Sequence, residues 1–303
     1  MKLGLGTAQF GSDYGISNRR GQVPAYEVAT LLETAAAHGI MVLDTAAAYG
    51  ASEAVLGEVL GQRHPFRIVT KSAPFDSPRI SSADIDLVGA GLHRSLERLR
   101  VPRLDTWLVH HASALLRPGG ERLAELFRES RSQGLVSKVG FSCYTIAELE
   151  AASRVLAPDV VQLPCSVIDQ RFLQGGRCAA LKAGGTEIHV RSIFLQGLLL
   201  LPVAHLPPQF GAYASVFERI DRFAHTHGLT RLQVALGFVQ RRGEIDVSLA
   251  GVTKVDELLQ ILSALDAAPD DLDFSSLACE HEALVNPALW PTLQDVQSTG
   301  ALS

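Results

Sequence analysis

Short apolar runs recur along this chain, and each ends at a polar or small residue before an amphipathic stretch begins. The runs predict β-strands at Leu3–Thr7, Met41–Leu43, Arg67–Thr70, Asp105–Val109, Ser137–Phe141, Val160–Leu163, Glu187–Arg191 and Asp246–Ala250. Helical spacing predicts α-helices at Ala25–His38, Ser52–Leu60, Ser82–Arg98, Glu121–Gln133, Thr145–Leu156, Gln174–Ala183, Tyr213–His227, Leu232–Arg241 and Val255–Leu265. Because a helix between successive strands supplies a crossover, the strands are expected to run parallel.

Eight such strand–helix units over roughly 250 residues are typical of a closed (β/α)8 barrel, the TIM-barrel fold of the α/β class. An open, doubly wound sheet is the alternative. Its phosphate-binding fingerprint is missing, since Gly4 and Gly6 are followed by Gln9 rather than by a third glycine. No Pro-, Gly- or Ser-rich linker divides the chain, so we predict a single domain over residues 1–303. The regular barrel is expected to cover about residues 3–268, with a C-terminal tail at 269–303.

The segments after the fourth and seventh predicted strands are longer than ordinary connections, as is the tail. His111–Gly120 and Ser192–Ala212 follow strand ends, on the barrel face where catalytic residues collect, so they are candidates for function. The tail can fold over either face. Among the helix starts, Ser52 is an expected N-cap, and Thr145 with Glu148 has the spacing of a capping box.

Polar side chains follow three neighbouring strands at the point where each strand ends. Asp44 ends the second apolar run, and Tyr49 follows it in a turn that Gly50 closes. Lys71 ends the third run and His110 ends the fourth. Adjacent strands lie about 4.8 Å apart, so side chains at their carboxyl ends can meet in one cluster at the mouth of the barrel.

This combination of side chains suits the protonation of an oxygen that becomes alkoxide-like, as when a hydride adds to a carbonyl carbon. A free tyrosine titrates at about 10, and a neighbouring ammonium group is expected to lower the pKa of Tyr49. Asp44 would hold Lys71, and His110 would donate a hydrogen bond to the substrate oxygen. Each residue alone is readily explained by a turn, by packing or by a solvated strand end. Together, at neighbouring strand ends, they are more simply explained as an active site.

Further residues are candidates for the wall of the site. Phe10 and Tyr14 follow the first strand and are expected to face the substrate. His111 follows His110 and points to the other side if the strand continues, so a substrate contact and a simple wall position are equally compatible with the sequence. The His-His pair is not a metal site, because no third ligand has suitable spacing. Trp290 lies in the tail and is expected to be a packing anchor.

Eight segments in chain order resemble motifs of the aldo-keto reductase family, and the resemblance spans nearly the whole chain. They are GLGTAQFG at 4–11, LDTAAAYGASE at 43–53, VTK at 69–71, LDTWLVH at 104–110, VGFS at 139–142, VVQLPCS at 160–166, RSIFLQGLL at 191–199 and AGVTKVDEL at 250–258. Each match is short, but their number and order are specific. The resemblance implies an NADPH-dependent carbonyl reductase or alcohol dehydrogenase that binds its cofactor across the barrel mouth without a Rossmann domain.

The resemblance also implies roles for the catalytic residues. Tyr49 would be the general acid in reduction and the base in oxidation. Lys71 and Asp44 would tune the tyrosine, and His110 would orient the carbonyl group of a small aldehyde, ketone or sugar.

NADP(H) is the cofactor that the resemblance implies. Ser142 and Gln162 would hold the nicotinamide carboxamide, and Lys254 would neutralise a 2′-phosphate, which favours NADP over NAD. The expected cofactor contacts are Thr7, Ser142, Gln162, Arg191, Ser192, Phe194, Leu195, Gln196, Gly197, Gly251, Thr253, Lys254 and Glu257.

Three positions depart from the family pattern. Cys143 stands where an Asn is usual, Arg191 replaces the common aromatic residue under the nicotinamide, and Ile261 stands where an Asn near the adenine is usual. The planar guanidinium group of Arg191 can still stack in that position.

Composition narrows the choice of partners. The formal net charge of −5 provides no strongly basic surface for a nucleic acid. Four cysteines without C-x-x-C spacing favour reduced thiols over a zinc site or a disulfide framework. No signal peptide and no apolar stretch of bilayer length is visible, so we expect a cytoplasmic protein with a small-molecule carbonyl substrate and no membrane partner. The sequence does not define the oligomeric state.

Two rival functions stay open at this point. A catalytically silent NADP(H)-binding regulatory module would keep the fold and the cofactor segments without turnover. A Schiff-base lyase or aldolase would use Lys71 as its nucleophile, which requires a lysine that is unpaired and desolvated.

Overall fold

The computed structural model describes residues 2–61, 63–74, 77–265, 267–269 and 271–290. In these ranges eight parallel strands close into a barrel, and neighbours in the sequence are neighbours in the sheet. The strands are β1 (Leu3–Gly6), β2 (Val42–Asp44), β3 (Arg67–Lys71), β4 (Leu104–Val109), β5 (Val136–Ser142), β6 (Val160–Pro164), β7 (Glu187–Arg191) and β8 (Val247–Gly251). The predicted (β/α)8 barrel is confirmed, and β8 closes it by pairing with β1. No strand end differs from its predicted position by more than one residue.

The α-helices surround the barrel. They are α1 (Ala8–Gly11), α2 (Ala25–Ala37), α3 (Ser52–Leu60), α4 (Ser82–Leu99), α5 (Gly120–Ser132), α6 (Ile146–Val155), α7 (Arg177–Ala183), α8 (Ala214–Thr226), α9 (Arg231–Gln240), α10 (Val255–Ala264) and α11 (Glu282–Val285). The predicted start of α7 was too early, because Gln174 and Gly175 have non-helical backbone angles. The one-turn helices α1 and α11 were not predicted, since one turn is too short to show a hydrophobic period.

Alternate strand residues pack in two separate layers. Leu108 lies inside the barrel, in a buried cluster with inward-facing residues of other strands. Its neighbour Trp107 faces outward and stacks on Phe127 of α5, with ring centres 3.8 Å apart. This alternation fixes which residues reach the barrel mouth, since side chains of a strand alternate between its two faces. The inner cluster consists of Val42, Val69, Leu108, Val160, Val247 and Leu249.

The described part of the tail packs beside the barrel mouth. The backbone N–H of Cys279 donates to the carbonyl of Ile168, in the segment after β6, at 2.9 Å. The Trp290 ring lies 4.9 Å from that of Phe210, in the long segment after β7. Trp290 therefore packs against a loop, as predicted, while residues 291–303 lie outside the described residues. In the described part of the chain, no helix combines the length and apolar character that a bilayer crossing requires.

An ionic cluster lies at the end of the barrel opposite the mouth. Glu187, the first residue of β7, is 2.6 Å from the ammonium group of Lys138 and 3.5 Å from the ring of His189. The imidazole of His189 and the ammonium of Lys138 lower the pKa of Glu187 to about 2. A carboxyl group whose pKa is lowered by folding stabilises the folded state where it is ionised, so this cluster contributes to stability at neutral pH.

We predict that Glu187→Gln lowers the free energy of unfolding at pH 7 by about 1 kcal/mol, as expected for a partly exposed ion pair. The difference in unfolding free energy between the variant and the native protein should reach its full size above pH 4.5, the ordinary pKa of the carboxyl group. It should shrink as the pH falls toward 2. Urea denaturation followed by circular dichroism at several pH values measures this. Glu218→Gln is the matched control, because the Glu218–Arg222 pair is longer, at 3.9 Å, and more exposed. A pH-independent loss would contradict the assignment.

Candidate active site

The polar residues at the barrel mouth share one structural origin. Each lies two positions beyond an inward-facing residue of the same strand or its extension, so its side chain also points inward. Inward-facing pairs of this kind are Val42 and Asp44, Val69 and Lys71, Leu108 and His110, and Val160 and Gln162. The carboxyl ends of parallel strands meet at one face, so the barrel brings these groups together.

Lys71 and Asp44 form a buried ion pair at the floor of this mouth. Lys71 Nζ lies 2.7 Å from Asp44 Oδ2 and donates a second hydrogen bond to the carbonyl of Thr45 at 2.9 Å. The lysine side chain is 1% exposed and the aspartate 6%. Asp44 Oδ1 accepts a hydrogen bond from Gln162 Nε2 at 2.7 Å. The Asp44 carboxylate therefore holds both Lys71, a candidate catalytic residue, and Gln162, a candidate cofactor-binding residue.

Tyr49 lies above this ion pair, on a closely packed turn. Lys71 Nζ is 5.0 Å from the centre of the tyrosine ring, and the His110 ring is 6.0 Å away in an edge-on arrangement. The turn presses against α1, where a Cβ atom on Gly11 would lie 1.8 Å from the carbonyl oxygen of Tyr49. Gly50, at φ +54, closes the turn in a conformation that favours glycine. The four predicted catalytic residues therefore lie in one cluster.

The charge environment keeps Tyr49 protonated in the resting site. Burial and the neighbouring Asp44 carboxylate raise the pKa of Tyr49 well above its ordinary value, and Arg191 acts in the opposite direction. The expectation that Lys71 would lower this pKa was wrong for the resting state. The ammonium of Lys71 is paired with Asp44, so little of its charge remains uncompensated at the tyrosine.

His110 is neutral at physiological pH. Burial, together with the positive charge of Lys71 and the neighbouring His111, lowers the pKa of His110 to about 3. A neutral imidazole has one N–H donor and one acceptor nitrogen. His110 Nδ1 is buried and has no hydrogen-bond partner within the described residues. The ring is therefore suited to binding a polar substrate atom.

A cavity of about 670 Å³ extends from this cluster across the barrel mouth. Its volume is in the range of about 300–1,000 Å³ that is usual for small-molecule sites. Predicted residues that line it are Thr7, Tyr14, Asp44, Tyr49, Lys71, His110, Ser142, Gln162, Arg191, Ser192, Phe194, Gln196, Gly197, Gly251, Thr253, Lys254 and Glu257. The segments after β1, β5, β7 and β8, together with Gln162 of β6, thus face one continuous space.

Gln162 offers an unsatisfied acceptor to this cavity. Its Nε2 donates to Asp44, so the amide orientation leaves Oε1 pointing elsewhere, and Oε1 is buried without a partner among the described residues. A buried polar atom of this kind is costly unless a ligand bonds to it. The amide N–H of a nicotinamide carboxamide is a suitable donor, and the nearly buried Ser142 hydroxyl lines the same part of the cavity.

The segment after β7 has an unusual backbone. Ser192, Leu195 and Gln196 all have positive φ, at 62°, 47° and 54°, which is uncommon for residues other than glycine. The carbonyl of Gln196 accepts a hydrogen bond from the backbone N–H of Ser17, in the segment after β1. The two segments therefore meet across the cavity. Such strained backbone tends to occur at ligand-binding sites.

Comparison with known proteins gives the family. The model of the aldo/keto reductase family matches residues 2–278. The chain belongs to the aldo-keto reductase family. Aldo-keto reductase YhdN of Bacillus subtilis is 24% identical to this chain, and the alignment covers 97% of this chain and 91% of YhdN. A 6-dehydroglucose reductase of Novosphingobium aromaticivorans is also 24% identical, and its alignment covers 81% of this chain and 82% of the reductase. The solved structure of aldo-keto reductase AKR11C1 from Bacillus halodurans, in its holo form, has the same fold, with a TM-score of 0.73, 17% identity and 92% of each chain covered.

Four sequence expectations for this aldo-keto reductase need correction. Phe10 is fully buried in the core and does not line the cavity. His111 stacks on His110 with ring centres 4.7 Å apart, since β4 ends at Val109, and it is also absent from the cavity wall. The Leu195 side chain packs in the core. Ser52 is not an N-cap, because its hydroxyl donates to the carbonyl of Thr7 at 2.8 Å and so ties α3 to β1.

Several cavity residues escaped the sequence analysis. Tyr144 lies two residues after β5, and its ring faces the guanidinium group of Arg191 at 4.1 Å. Arg19 and Arg20 lie in the segment after β1, and Arg20 Nη1 donates to the carbonyl of Thr253 at 2.9 Å. The adjacent arginines in the sequence were a signal of an anion site, but nothing in the sequence placed them beside the segment after β8.

We predict that the His110 imidazole stays neutral between pH 8 and pH 5, because its lowered pKa lies near 3. Ring nitrogen shifts of labelled protein, measured by NMR, should include a non-titrating histidine signal that His110→Asn removes. Since the unfolded state takes up this proton below its ordinary pKa of 6.5, His110 should also lower stability as the pH falls from there toward 3. Titration of the assigned signal close to pH 6.5 would contradict the prediction.

Proposed function

We propose that this protein is an NADPH-dependent oxidoreductase that reduces a small aldehyde, ketone or sugar carbonyl to the alcohol, reversibly. The observation that carries the proposal is the buried Lys71–Asp44 pair, with Tyr49 above it, at the floor of a cavity of ligand size. The family consists of oxidoreductases, and this arrangement supplies what carbonyl reduction needs: a proton donor and a polar wall for the substrate oxygen.

Tyr49 is the proposed proton donor. Its raised pKa keeps the phenol protonated at neutral pH, so a proton is available when a carbonyl oxygen gains negative charge. The phenolate left after proton transfer would be stabilised by Arg191, whose positive charge favours a lower pKa of Tyr49. Lys71, neutralised by Asp44, would mainly hold the packing beneath the tyrosine ring. In alcohol oxidation the same groups work in reverse, with the phenolate as the base.

His110 is proposed to hold the carbonyl group. A neutral imidazole can donate one N–H to the substrate oxygen without adding a full charge, and this hydrogen bond strengthens as the oxygen becomes alkoxide-like. His110 and Tyr49 would then bind the same oxygen from two sides, which fixes the carbonyl carbon in one place.

The residues of the cavity fit NADP(H). When bound, the reduced nicotinamide supplies the hydride that adds to the carbonyl carbon. Gln162 Oε1 and the Ser142 hydroxyl would hold the carboxamide, and the strained segment after β7 would cover the pyrophosphate. At the far end Thr253 is held by Glu257, whose Oε2 accepts its backbone N–H at 2.7 Å. Lys254 supplies positive charge there for a 2′-phosphate, while the neighbouring Arg20 is paired with Glu27 at 2.9 Å.

The two rival functions have less support. Lys71 is desolvated, and burial lowers its pKa, but it is paired with Asp44 at 2.7 Å and so lacks the free amine that a Schiff base requires. A silent binding module would not need the complete set of proton-transfer groups beside the cavity. Both rivals predict a protein that does not oxidise NADPH with carbonyl compounds.

We predict that Tyr49→Phe lowers kcat with a panel of aldehydes, ketones and sugars by about a hundredfold to ten-thousandfold, the usual contribution of general acid catalysis. NADPH affinity, measured by fluorescence titration, should change little because the ring is retained. Tyr26→Phe is the matched control, since Tyr26 is 74% exposed on α2. Full turnover in Tyr49→Phe would overturn the mechanism, and absence of NADPH oxidation in the native protein would overturn the function.

We predict that Lys254→Ala weakens NADPH binding about tenfold while NADH binding changes little, because only NADPH carries the 2′-phosphate that this lysine would contact. Dissociation constants of both cofactors, measured by fluorescence, give the selectivity directly. Lys182→Ala is the control, since this lysine is paired with Asp246 near the opposite end of the barrel. If the variant weakens the binding of NADPH and NADH equally, Lys254 does not contact the 2′-phosphate.

A further inference from the structure

Arg191 is held in a fixed position at the wall of the cavity. It ends β7, and its side chain reaches toward the segment that begins at the end of β5. Arg191 Nε lies 3.4 Å from Ser142 Oγ, and Nη2 donates to the carbonyl of Cys143 at 3.2 Å. The guanidinium carbon lies 4.1 Å from the centre of the Tyr144 ring, so one face of the group is covered. Of its five N–H groups, these contacts use about two.

The positive charge of Arg191 has no counter-ion in the described part of the chain. Arg98 and Arg171, which are also partly buried, are paired with Glu53 and Asp169. Arg219 is likewise partly buried and, among the described residues, bonds to a backbone carbonyl without a carboxylate, but unlike Arg191 it does not line the cavity. The carboxylate of Glu148 is engaged in the capping box of α6, where it accepts the backbone N–H of Tyr144 at 2.8 Å. A guanidinium group that is partly removed from water without an anion is unfavourable, which indicates that a ligand supplies the anion.

This uncompensated charge lies beside the reacting groups. Arg191 shares the cavity wall with Tyr49 and His110, and its charge favours lower pKa values for both. The charges of Lys71 and Asp44 cancel within their ion pair. The catalytic end of the cavity thus carries one net positive charge, separate from Lys254 and the arginines near Thr253.

We propose that Arg191, held against Tyr144, binds a carboxylate group of the substrate, so that the physiological substrates are carbonyl compounds that carry an anionic substituent. This inference rests on the proposed carbonyl reduction and narrows its substrate class. The planar guanidinium fork matches the two oxygens of a carboxylate, and such charge-assisted hydrogen bonds are among the stronger polar contacts. The expected stacking of Arg191 under a nicotinamide involves the face opposite Tyr144 and leaves the edge of the group available.

Turnover provides the first test. Steady-state kcat/KM would be measured with NADPH for a series of ω-oxo carboxylates of increasing length, each paired with the n-alkanal of the same length. The native protein should prefer the carboxylate at one or more lengths by about tenfold or more, equivalent to about 1.4 kcal/mol. Arg191→Gln should remove the preference, and Arg191→Lys, which keeps the charge, should retain part of it. Lack of a carboxylate preference at every length would overturn the inference while leaving carbonyl reduction intact.

Binding provides a second test that does not depend on turnover. Calorimetry on the protein saturated with NADP+ would compare unreactive n-alkyl carboxylates with the primary amides of the same length. The native protein should bind each carboxylate about tenfold more tightly than the amide of the same length. Arg191→Gln should bind the two compounds with equal affinity. Arg242→Gln is the matched control, because Arg242 also covers an aromatic ring, Phe238 at 4.6 Å, but does not line the cavity.

The cofactor phosphates are the other possible source of an anion for Arg191, and NADPH affinity separates the two sources. If Arg191 binds the substrate, Arg191→Gln should change the dissociation constant of NADPH less than about threefold. If the variant instead weakens NADPH tenfold or more and leaves the carboxylate-to-amide ratio unchanged, Arg191 serves the cofactor and the inference is overturned. If carboxylate binding depends on Arg191 but no carbonyl compound turns over, the anion site stands and the proposed reaction fails.

Discussion

The site depends on the position of one carboxylate, Asp44. Its two oxygens bind different partners: Lys71 on one side and the Gln162 amide on the other. Because both bonds are buried, neither partner can turn away without leaving a polar atom unsatisfied. Breaking a buried ion pair from one side is strongly destabilising, so the carboxylate holds its neighbours firmly. The proton-transfer residues and the proposed nicotinamide contact are thereby placed relative to each other by a single side chain.

The barrel supplies the geometry that makes this possible. An inner layer of apolar side chains, such as Val42 and Val69, fills the interior, and the next inward position on each strand carries the polar group. The Asp44–Lys71 pair therefore rests on a dry, packed floor, which excludes water and strengthens the interaction between charges. Tyr49 is outside this strand pattern and is positioned instead by backbone contact between its turn and Gly11. A strand end and a tight turn thus contribute to the same cluster by different means.

The charge distribution divides the cavity into two ends. Near Thr253, Lys254 is suited to phosphate, while at the catalytic end Arg191 remains after Lys71 and Asp44 have neutralised each other. The long segments after β1 and β7 meet between these ends through Ser17 and Gln196. A ligand that spans the cavity would therefore contact positive charge at both ends and strained backbone in the middle.

Sequence patterns located the strands and the polar residues that end them, but they missed residues whose position depends on distant contacts. The predicted Asp44–Lys71 partnership agrees with the structure because both residues follow from strand periodicity and neighbouring strands. Phe10 was wrongly expected at the cavity wall, since the sequence does not show that α1 turns it into the core. Tyr144 was missed because its importance comes from Arg191, which lies 47 positions further along the chain (from 144 to 191).

The sequence by itself determined the barrel, its strand limits and the identity of the four clustered residues, because hydrophobic periodicity and strand-end chemistry are local properties. Only the tertiary structure decided the protonation of Tyr49 and His110, the orientation of the Gln162 amide and the missing counter-ion of Arg191. Those properties depend on burial and on charges brought together from separate strands, and neither is encoded in any single stretch of the chain. Arg191 is one of three residues that depart from the family pattern, and its proposed role depends on neighbours that only the tertiary structure brings to it.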